Sequence, residues 1–137
     1  MTDYFTAAMS ADDLRAMSSI GLAHLGDAVY ELLVRTWLCV HGKATGKGLH
    51  RATVALVCAQ KQAELSERIL PLLTEEEHDV FRRGRNANVH TIPHSADRAT
   101  YQTATALEAL FGWLYLKGDK VRVNELFAAM MEENDVT

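Results

Sequence analysis

The sequence LAHLGDAVYE, residues 22–31, decides how the chain folds, and ALEALFGWLYL, residues 106–116, is its counterpart further along. Apolar residues recur in both at intervals of three and four, which is typical of a helix packed on a core. Each stretch nevertheless carries one carboxylate, Asp27 in the first and Glu108 in the second. A carboxylate in an apolar wall is costly unless a positive group meets it. These two acids are therefore the first candidates for a functional site.

The composition predicts an all-α protein with a single domain over residues 1–137. The chain is 48% hydrophobic, has only two prolines, and contains runs rich in Ala, Leu, Glu and Arg, which favour helices over a sheet. No apolar run is long enough to cross a bilayer, and the first residues lack the basic and leucine-rich segments of a signal peptide. We therefore expect a soluble, cytoplasmic protein without a membrane partner.

Capping residues and apolar spacing predict a helical bundle in which two long central helices carry the two acids. The first central helix runs from Ser19 to Val40, and the second runs from a cap at Ser95 or Asp97 to Leu116. Residues 74–77, TEEE, form a capping box that begins another helix ending near Gly84. The remaining predicted segments are a short helix over 10–18, one or two helices over 49–73 joined near 59–60, a loop over 85–96, and a terminal helix from 119.

The two cysteines, Cys39 and Cys58, lie in apolar helical segments and do not have CxxC spacing. Thiols in such segments usually pack as small hydrophobic groups. We therefore predict that both are free and buried, with no disulfide and no metal.

The formal net charge of −4 argues against a nucleic-acid partner, but the basic residues are segregated from the acids. No acid occurs between Glu31 and Glu64. Exposed basic and amide side chains there and in the stretch from Arg82 to His94 are candidates for contact with RNA, although a solvated charged face is the plainer alternative. The candidates are Lys43, Lys47, His50, Arg51, Arg82, Arg83, Arg85, Asn86 and His94.

Small residues beside each acid suggest that the two central helices approach closely. Gly26 precedes Asp27, and Gly112 lies one turn after Glu108, so that both carboxylates can face one pocket. Apart from His24, neither acid has a basic neighbour within its own apolar helical stretch. The spacing therefore favours metal or proton chemistry over a salt-bridged surface acid, and it leaves the choice between metal and proton open.

Three separated motifs resemble the ribonuclease III family. They are LGDAV at 25–29, RGRNA at 83–87, and LEALFG at 107–112, which is preceded by Tyr101, Ala104 and Thr105 and followed by Tyr115 and Leu116. The resemblance covers residues 22–116 and is closer to the short bacterial branch, Mini-ribonuclease III, which has the nuclease domain without a double-stranded-RNA-binding domain.

The resemblance implies an all-α ribonuclease III-like endonuclease domain that forms a homodimer and hydrolyses double-stranded RNA with Mg²⁺. In the short branch the expected substrate is the precursor of large-subunit (23S) ribosomal RNA, and a ribosomal protein is a further candidate partner. Asp27 and Glu108 match the family's metal-binding catalytic acids. Glu31, one turn beyond Asp27, and Thr105 are candidates to contact the metal-binding acids without binding the metal themselves.

Two departures from the full-length family leave an alternative open. Ala23 and Thr105 stand where full-length ribonuclease III carries two further acids, although the threonine is similar to the short branch. A relative that kept the fold but lost the chemistry would be a non-catalytic RNA-binding or ribosome-associated protein. A helical interaction domain with neither RNA nor metal is the third alternative.

Overall fold

The computed structural model describes residues 1–42, 45–87 and 97–135, with side chains as far as Glu132. The described residues form seven α-helices and one 3-10 turn, and they contain no strand, which confirms the all-α prediction. None of these helices is long and apolar enough to cross a membrane. The helices are α1 (Ala11–Arg15), α2 (Ser19–Val40), α3 (Gly46–Val57), α4 (Ala59–Ser66), α5 (Glu75–Arg85), α6 (Arg98–Lys117) and α7 (Lys120–Asp135), with the 3-10 turn at Leu70–Leu72.

Side-chain caps fix where the helices begin. The Ser18 hydroxyl accepts a hydrogen bond from the Gly21 amide (2.9 Å) at the start of α2, and Asp97 caps α6 through the Ala99 amide (3.1 Å). The predicted capping box is confirmed, because Thr74 accepts from the Glu77 amide while Glu77 accepts from the Thr74 amide. Both central helices therefore start where the capping residues predicted.

The 49–73 segment consists of two helices and the 3-10 turn. The chain breaks at Cys58, whose extended backbone ends α3 and begins α4, close to the predicted joint. Helix α3 starts at Gly46, earlier than predicted, because Thr45 caps it through the Gly48 amide at 2.9 Å. The break turns α4 toward α6, against which it packs.

Helix α6 is the centre of the bundle, and it packs against α2, α4 and α5. Leu107, Leu110 and Phe111 of this helix are fully buried. The Tyr30 ring of α2 meets the rings of Phe111 and Phe127 edge to face, at 5.9 and 6.1 Å between centroids. Because α6 is covered on several sides, any polar group on it lies close to neighbouring helices.

The prediction of buried thiols is wrong. Cys39 and Cys58 are free, as predicted, but both are exposed. Cys39 lies in the last turn of α2 beside Leu38, which is 2% exposed, so Cys39 is exposed because it lies on the solvent-facing side of a helix whose other side still packs on the core. Cys58 lies at the break between α3 and α4, so an apolar local sequence at a helix end did not imply burial.

Candidate active site

The two acids lie where α2 crosses α6 with their backbones in contact. A Cβ atom added at Gly26 would lie 1.6 Å from the Glu108 carbonyl oxygen, and one added at Gly112 would lie 2.0 Å from the Leu22 carbonyl oxygen. Only glycine fits at either position. The predicted close approach of the two helices is therefore confirmed, and it places Asp27 beside Glu108.

The two carboxyl groups interact directly. Burial, followed by the negative charge of Asp27, raises the pKa of Glu108 to about 8, and a hydrogen bond to the Asp27 side chain also favours the protonated form. Asp27 is exposed to solvent, whereas Glu108 is half-buried. The pair thus has one solvated and one partly desolvated carboxyl group, and it holds excess negative charge whenever both are ionised.

A third helix contributes to the site through Gln62 of α4. Its side-chain Nε2 donates to Glu108 Oε2 at 3.4 Å and to the Val57 carbonyl at 2.8 Å. The hydrogen bond to Glu108 partly opposes the rise in the pKa of that carboxyl group. Gln62 is only 2% exposed, so the amide belongs to the buried floor of the site.

The donor set fits a hard divalent cation. Carboxylate oxygens are the ligands that Mg²⁺ prefers, and Mg²⁺ commonly binds through one or two of them while keeping several waters. Within the part of the chain that the structure describes, no group of three or more His, Cys, Asp and Glu side chains is placed to hold a metal. Two adjacent carboxylates with Gln62 behind them therefore suit a cation that retains much of its water.

The two proposed supporting residues lie in different surroundings. Glu31 forms an ion pair with Arg35 (2.9 Å) on the solvent side of α2. Thr105 is buried, and its hydroxyl donates to the Tyr101 carbonyl (3.0 Å) within α6. Ala23, at the other position where the family carries an acid, is also buried. Neither Glu31 nor Thr105 hydrogen-bonds to Asp27 or Glu108 in the described residues, and their support of a metal stays a prediction.

The predicted RNA-contacting residues form two exposed groups. The first, Lys47, His50 and Arg51, lies on α3, and all three are exposed. The second lies at the end of α5, where Arg82 and Arg83 both pair with Asp79 while Arg85 and Asn86 are exposed. Lys47, Arg51 and Arg85 form no salt bridge with any described residue, so their charges are available to a ligand. Lys43 and His94 lie outside the described residues.

Gln62 is the site residue that sequence reasoning missed. Its position shares a face of α4 with Leu65 and Ser66, both fully buried in the structure. A glutamine at a core-facing position of an otherwise apolar pattern is a signal that a buried polar partner exists. The sequence could have indicated that signal but not the identity of the partner, which is 46 residues away.

Comparison with known proteins agrees with this geometry. The family model described as the ribonuclease III domain matches residues 21–119, a span that includes both acids and the whole α2–α6 crossing. The chain therefore belongs to the ribonuclease III family, and its class is that of an endoribonuclease.

Within that family, the relatives are short proteins. The chain is 47% identical to Mini-ribonuclease 3 of Symbiobacterium thermophilum, over 79% of this chain and 83% of that protein. It is 40% identical to Mini-ribonuclease 3 of a Thermoanaerobacter species, over 93% and 92%. A crystal structure of a Fusobacterium nucleatum protein superimposes with a TM-score of 0.80 at 30% identity, covering 89% of this chain and 98% of that one. The resemblance to the Mini-ribonuclease III branch is confirmed.

Proposed function

We propose that this protein is a Mg²⁺-dependent endoribonuclease that cleaves double-stranded RNA. The observation that carries the proposal is the pairing of Asp27 with Glu108, where a second acid rather than a cation faces a partly buried carboxyl group. A bound dication would relieve the repulsion that raises the pKa of Glu108. The site is thus suited to binding a metal cation, because no positive side chain of the described residues neutralises the two acids.

In this proposal Asp27 and Glu108 are the metal ligands and the catalytic residues. Mg²⁺ bound there would supply the acidity that activates a water and would neutralise charge on the scissile phosphate. The contact between Gly26 and the Glu108 backbone holds α2 close to α6 at the two acids, and the exposed side chain of Asp27 leaves an approach for the RNA backbone.

The two exposed basic groups are proposed to hold the RNA. A-form RNA is recognised mainly by its shape, through phosphates and 2′-hydroxyls rather than base edges. The charges of Lys47, Arg51 and Arg85, which no described residue neutralises, and the amide of Asn86 suit that kind of contact. Binding through phosphates should weaken steeply as salt rises, and an affinity independent of salt concentration would contradict this proposed face.

We also propose a homodimer acting on the precursor of 23S ribosomal RNA, as the resemblance to the short branch implies. One site cuts one strand, whereas a two-fold dimer presents two sites to opposite strands of a duplex. Assistance by a ribosomal protein and a cytoplasmic location stay predictions of the sequence.

A cleavage assay with matched variants tests the proposal. The protein is incubated with double-stranded or single-stranded RNA, in Mg²⁺ or in EDTA, beside Asp27→Asn, Glu108→Gln and the control Glu64→Gln. Glu64 is an exposed acid on α4 that pairs with Lys61. We expect cleavage of the duplex only with Mg²⁺, a loss of more than about 100-fold in both site variants, and full activity in the control. Wild-type rates in either site variant would contradict the assignment.

The same assay separates the second candidate, a non-catalytic RNA-binding or ribosome-associated relative. The observation that favours it is the small acid set, since Ala23 and Thr105 are buried and neither can ligate a metal as a carboxylate. That candidate predicts salt-sensitive RNA binding that is unaffected by Asp27→Asn, with no Mg²⁺-dependent cleavage.

A further inference from the structure

Gln62 has a buried amide whose nitrogen has hydrogen-bond partners and whose oxygen has none among the described residues. It lies on α4 with 2% exposure, surrounded by apolar residues of the core, and its Nε2 contacts the Val57 carbonyl and Glu108 Oε2. Buried side-chain polar groups nearly always have partners for each polar atom. Its Oε1 is buried and accepts no hydrogen bond from the described residues.

The orientation of the amide is fixed by its surroundings. The Val57 carbonyl oxygen, 2.8 Å from Nε2, can only accept, so the NH₂ end must face it. Exchanging the two ends would place Oε1 against that carbonyl oxygen. The unpartnered oxygen is therefore a consequence of the packing and not an arbitrary choice of orientation.

A purely structural role accounts for only part of this arrangement. The contact with the Val57 carbonyl satisfies a backbone acceptor at the break between α3 and α4. It does not require contact with Glu108, and it gives no reason to retain a buried acceptor, which costs about 1–3 kcal/mol when it has no partner. A group that donates a hydrogen bond next to Glu108 would complete the arrangement.

We infer that Gln62 is a positioning residue of the proposed metal site, an inference that rests on the proposed function. Its NH₂ group would hold the Glu108 carboxylate in one orientation, and its Oε1, which has no partner among the described residues, would be an acceptor for water brought in with a hydrated cation. A site with two carboxylate ligands leaves most of the coordination of Mg²⁺ to water, and each such water needs acceptors around it. Residues that orient ligands from behind typically contribute 10- to 100-fold to metal affinity.

The test measures metal binding without RNA and without turnover. Mn²⁺, used as a paramagnetic probe, is titrated into the full chain and followed by electron paramagnetic resonance, for wild type, Gln62→Met and Gln60→Met. Gln60 lies two positions away on the same helix and is exposed, so it is a matched control. We expect Gln62→Met to bind Mn²⁺ at least about 10-fold more weakly, and Gln60→Met to bind as wild type.

Thermal unfolding in EDTA separates positioning from packing. Gln62→Met removes a buried acceptor that has no partner among the described residues, so the metal-free variant is expected to unfold within a few degrees of wild type. If it does not fold, Gln62→Asn, which keeps the amide but shortens its reach, replaces it with the same expected loss of Mn²⁺ affinity. A folded variant with wild-type Mn²⁺ affinity overturns the role of Gln62 alone. Absence of both Mn²⁺ binding and cleavage in wild type overturns the proposed function as well.

Discussion

Two carboxylates that this fold removes wholly or partly from solvent, Glu77 and Glu108, face side chains of opposite charge. Glu77 lies in the first turn of α5, its side chain is 6% exposed, and Arg122 of α7 donates to both of its oxygens at 2.8 Å. The hydrogen bond from Arg122 lowers the pKa of Glu77. Burial and the nearby Asp27 instead raise the pKa of Glu108 to about 8.

The difference shows which carboxylate serves the fold and which one is available for chemistry. An arginine with two parallel hydrogen bonds neutralises Glu77, and the same arginine also donates to the Leu72 carbonyl, so this cluster joins α5 to α7. At the α2–α6 crossing the facing groups are an acid and an amide. The fold supplies a cation to Glu77, and no described residue forms a salt bridge with Glu108.

The largest expected effect comes from separating the two helices at the site while leaving the Glu77 cluster in place. In Gly26→Ala the new methyl group would overlap the Glu108 carbonyl oxygen, so α2 and α6 must move apart. We expect a loss of more than about 4 kcal/mol in the free energy of unfolding, or failure to fold. Urea denaturation followed by circular dichroism measures it.

Gly46→Ala is the control for that change. Gly46 is also helical, and a Cβ atom there would meet nothing within 4 Å. Its stability should stay within about 1 kcal/mol of wild type. If Gly26→Ala is as stable as this control, the close contact of the two helices does not hold the site together.

An intermediate loss of stability is expected from removing the arginine that pairs with Glu77. Arg122→Met leaves the Glu77 carboxylate buried without a positive partner, which should cost about 3 kcal/mol near pH 7. Because the pKa of Glu77 is lower in the folded than in the unfolded chain, the stability that this acid contributes is fully present above its unfolded-state pKa. The difference in stability between wild type and Arg122→Met should shrink as the pH falls below that unfolded-state pKa and through the lowered pKa of the folded protein. Denaturant titrations at several pH values measure both.

Arg35→Met provides the comparison for the arginine. Arg35 pairs with Glu31, and the two side chains are 61% and 39% exposed, so removing that pair should cost less than about 1 kcal/mol. Equal losses in Arg35→Met and Arg122→Met would show that burial does not distinguish the two ion pairs.

The remaining expected effect is a gain in stability when the unpartnered acid is neutralised, and its size depends on the pH. With a pKa raised from its ordinary value near 4.5 to about 8, Glu108 binds more protons in the folded than in the unfolded chain between those pH values. Stability of the metal-free protein should therefore fall with rising pH across that window, by at most about 1.4 kcal/mol per pH unit from this group.

Glu108→Gln should remove that slope and be more stable than wild type at pH 8, by up to about 4 kcal/mol. Urea titrations in EDTA between pH 5 and 8 make the comparison. The prediction fails if the two proteins show parallel dependence on pH.

The helices and the crossing were predictable because their signals are local. Helix α2 begins at Ser19 and ends at Val40 as predicted, since a capping serine precedes it and apolar residues recur along it. The glycines beside the two acids are also visible in the sequence, and small residues at those positions predict the close approach of α2 and α6 that the backbone contacts confirm.

The partners of the acids were not predictable because each comes from a distant part of the chain. Gln62 reaches Glu108 across 46 residues, and Arg122 reaches Glu77 across 45. The packing of α4 decides which acid Gln62 reaches, and the packing of α7 decides which acid Arg122 reaches. Local sequence patterns do not encode either packing. The exposure of Cys39 was missed because an apolar run along the whole of α2 does not show which side of the helix faces the other helices, and Leu38 next to it is buried.

The most direct test of this account is the pKa of Glu108 itself, measured by NMR of carboxyl-labelled protein with and without Mg²⁺. Glu77 in the same spectra is an internal reference. We expect Glu108 to titrate near pH 8 without metal and at clearly lower pH with it, while the pKa of Glu77 stays low in both. An ordinary pKa for Glu108 that Mg²⁺ does not change would contradict the claim that this acid is left for a cation to neutralise.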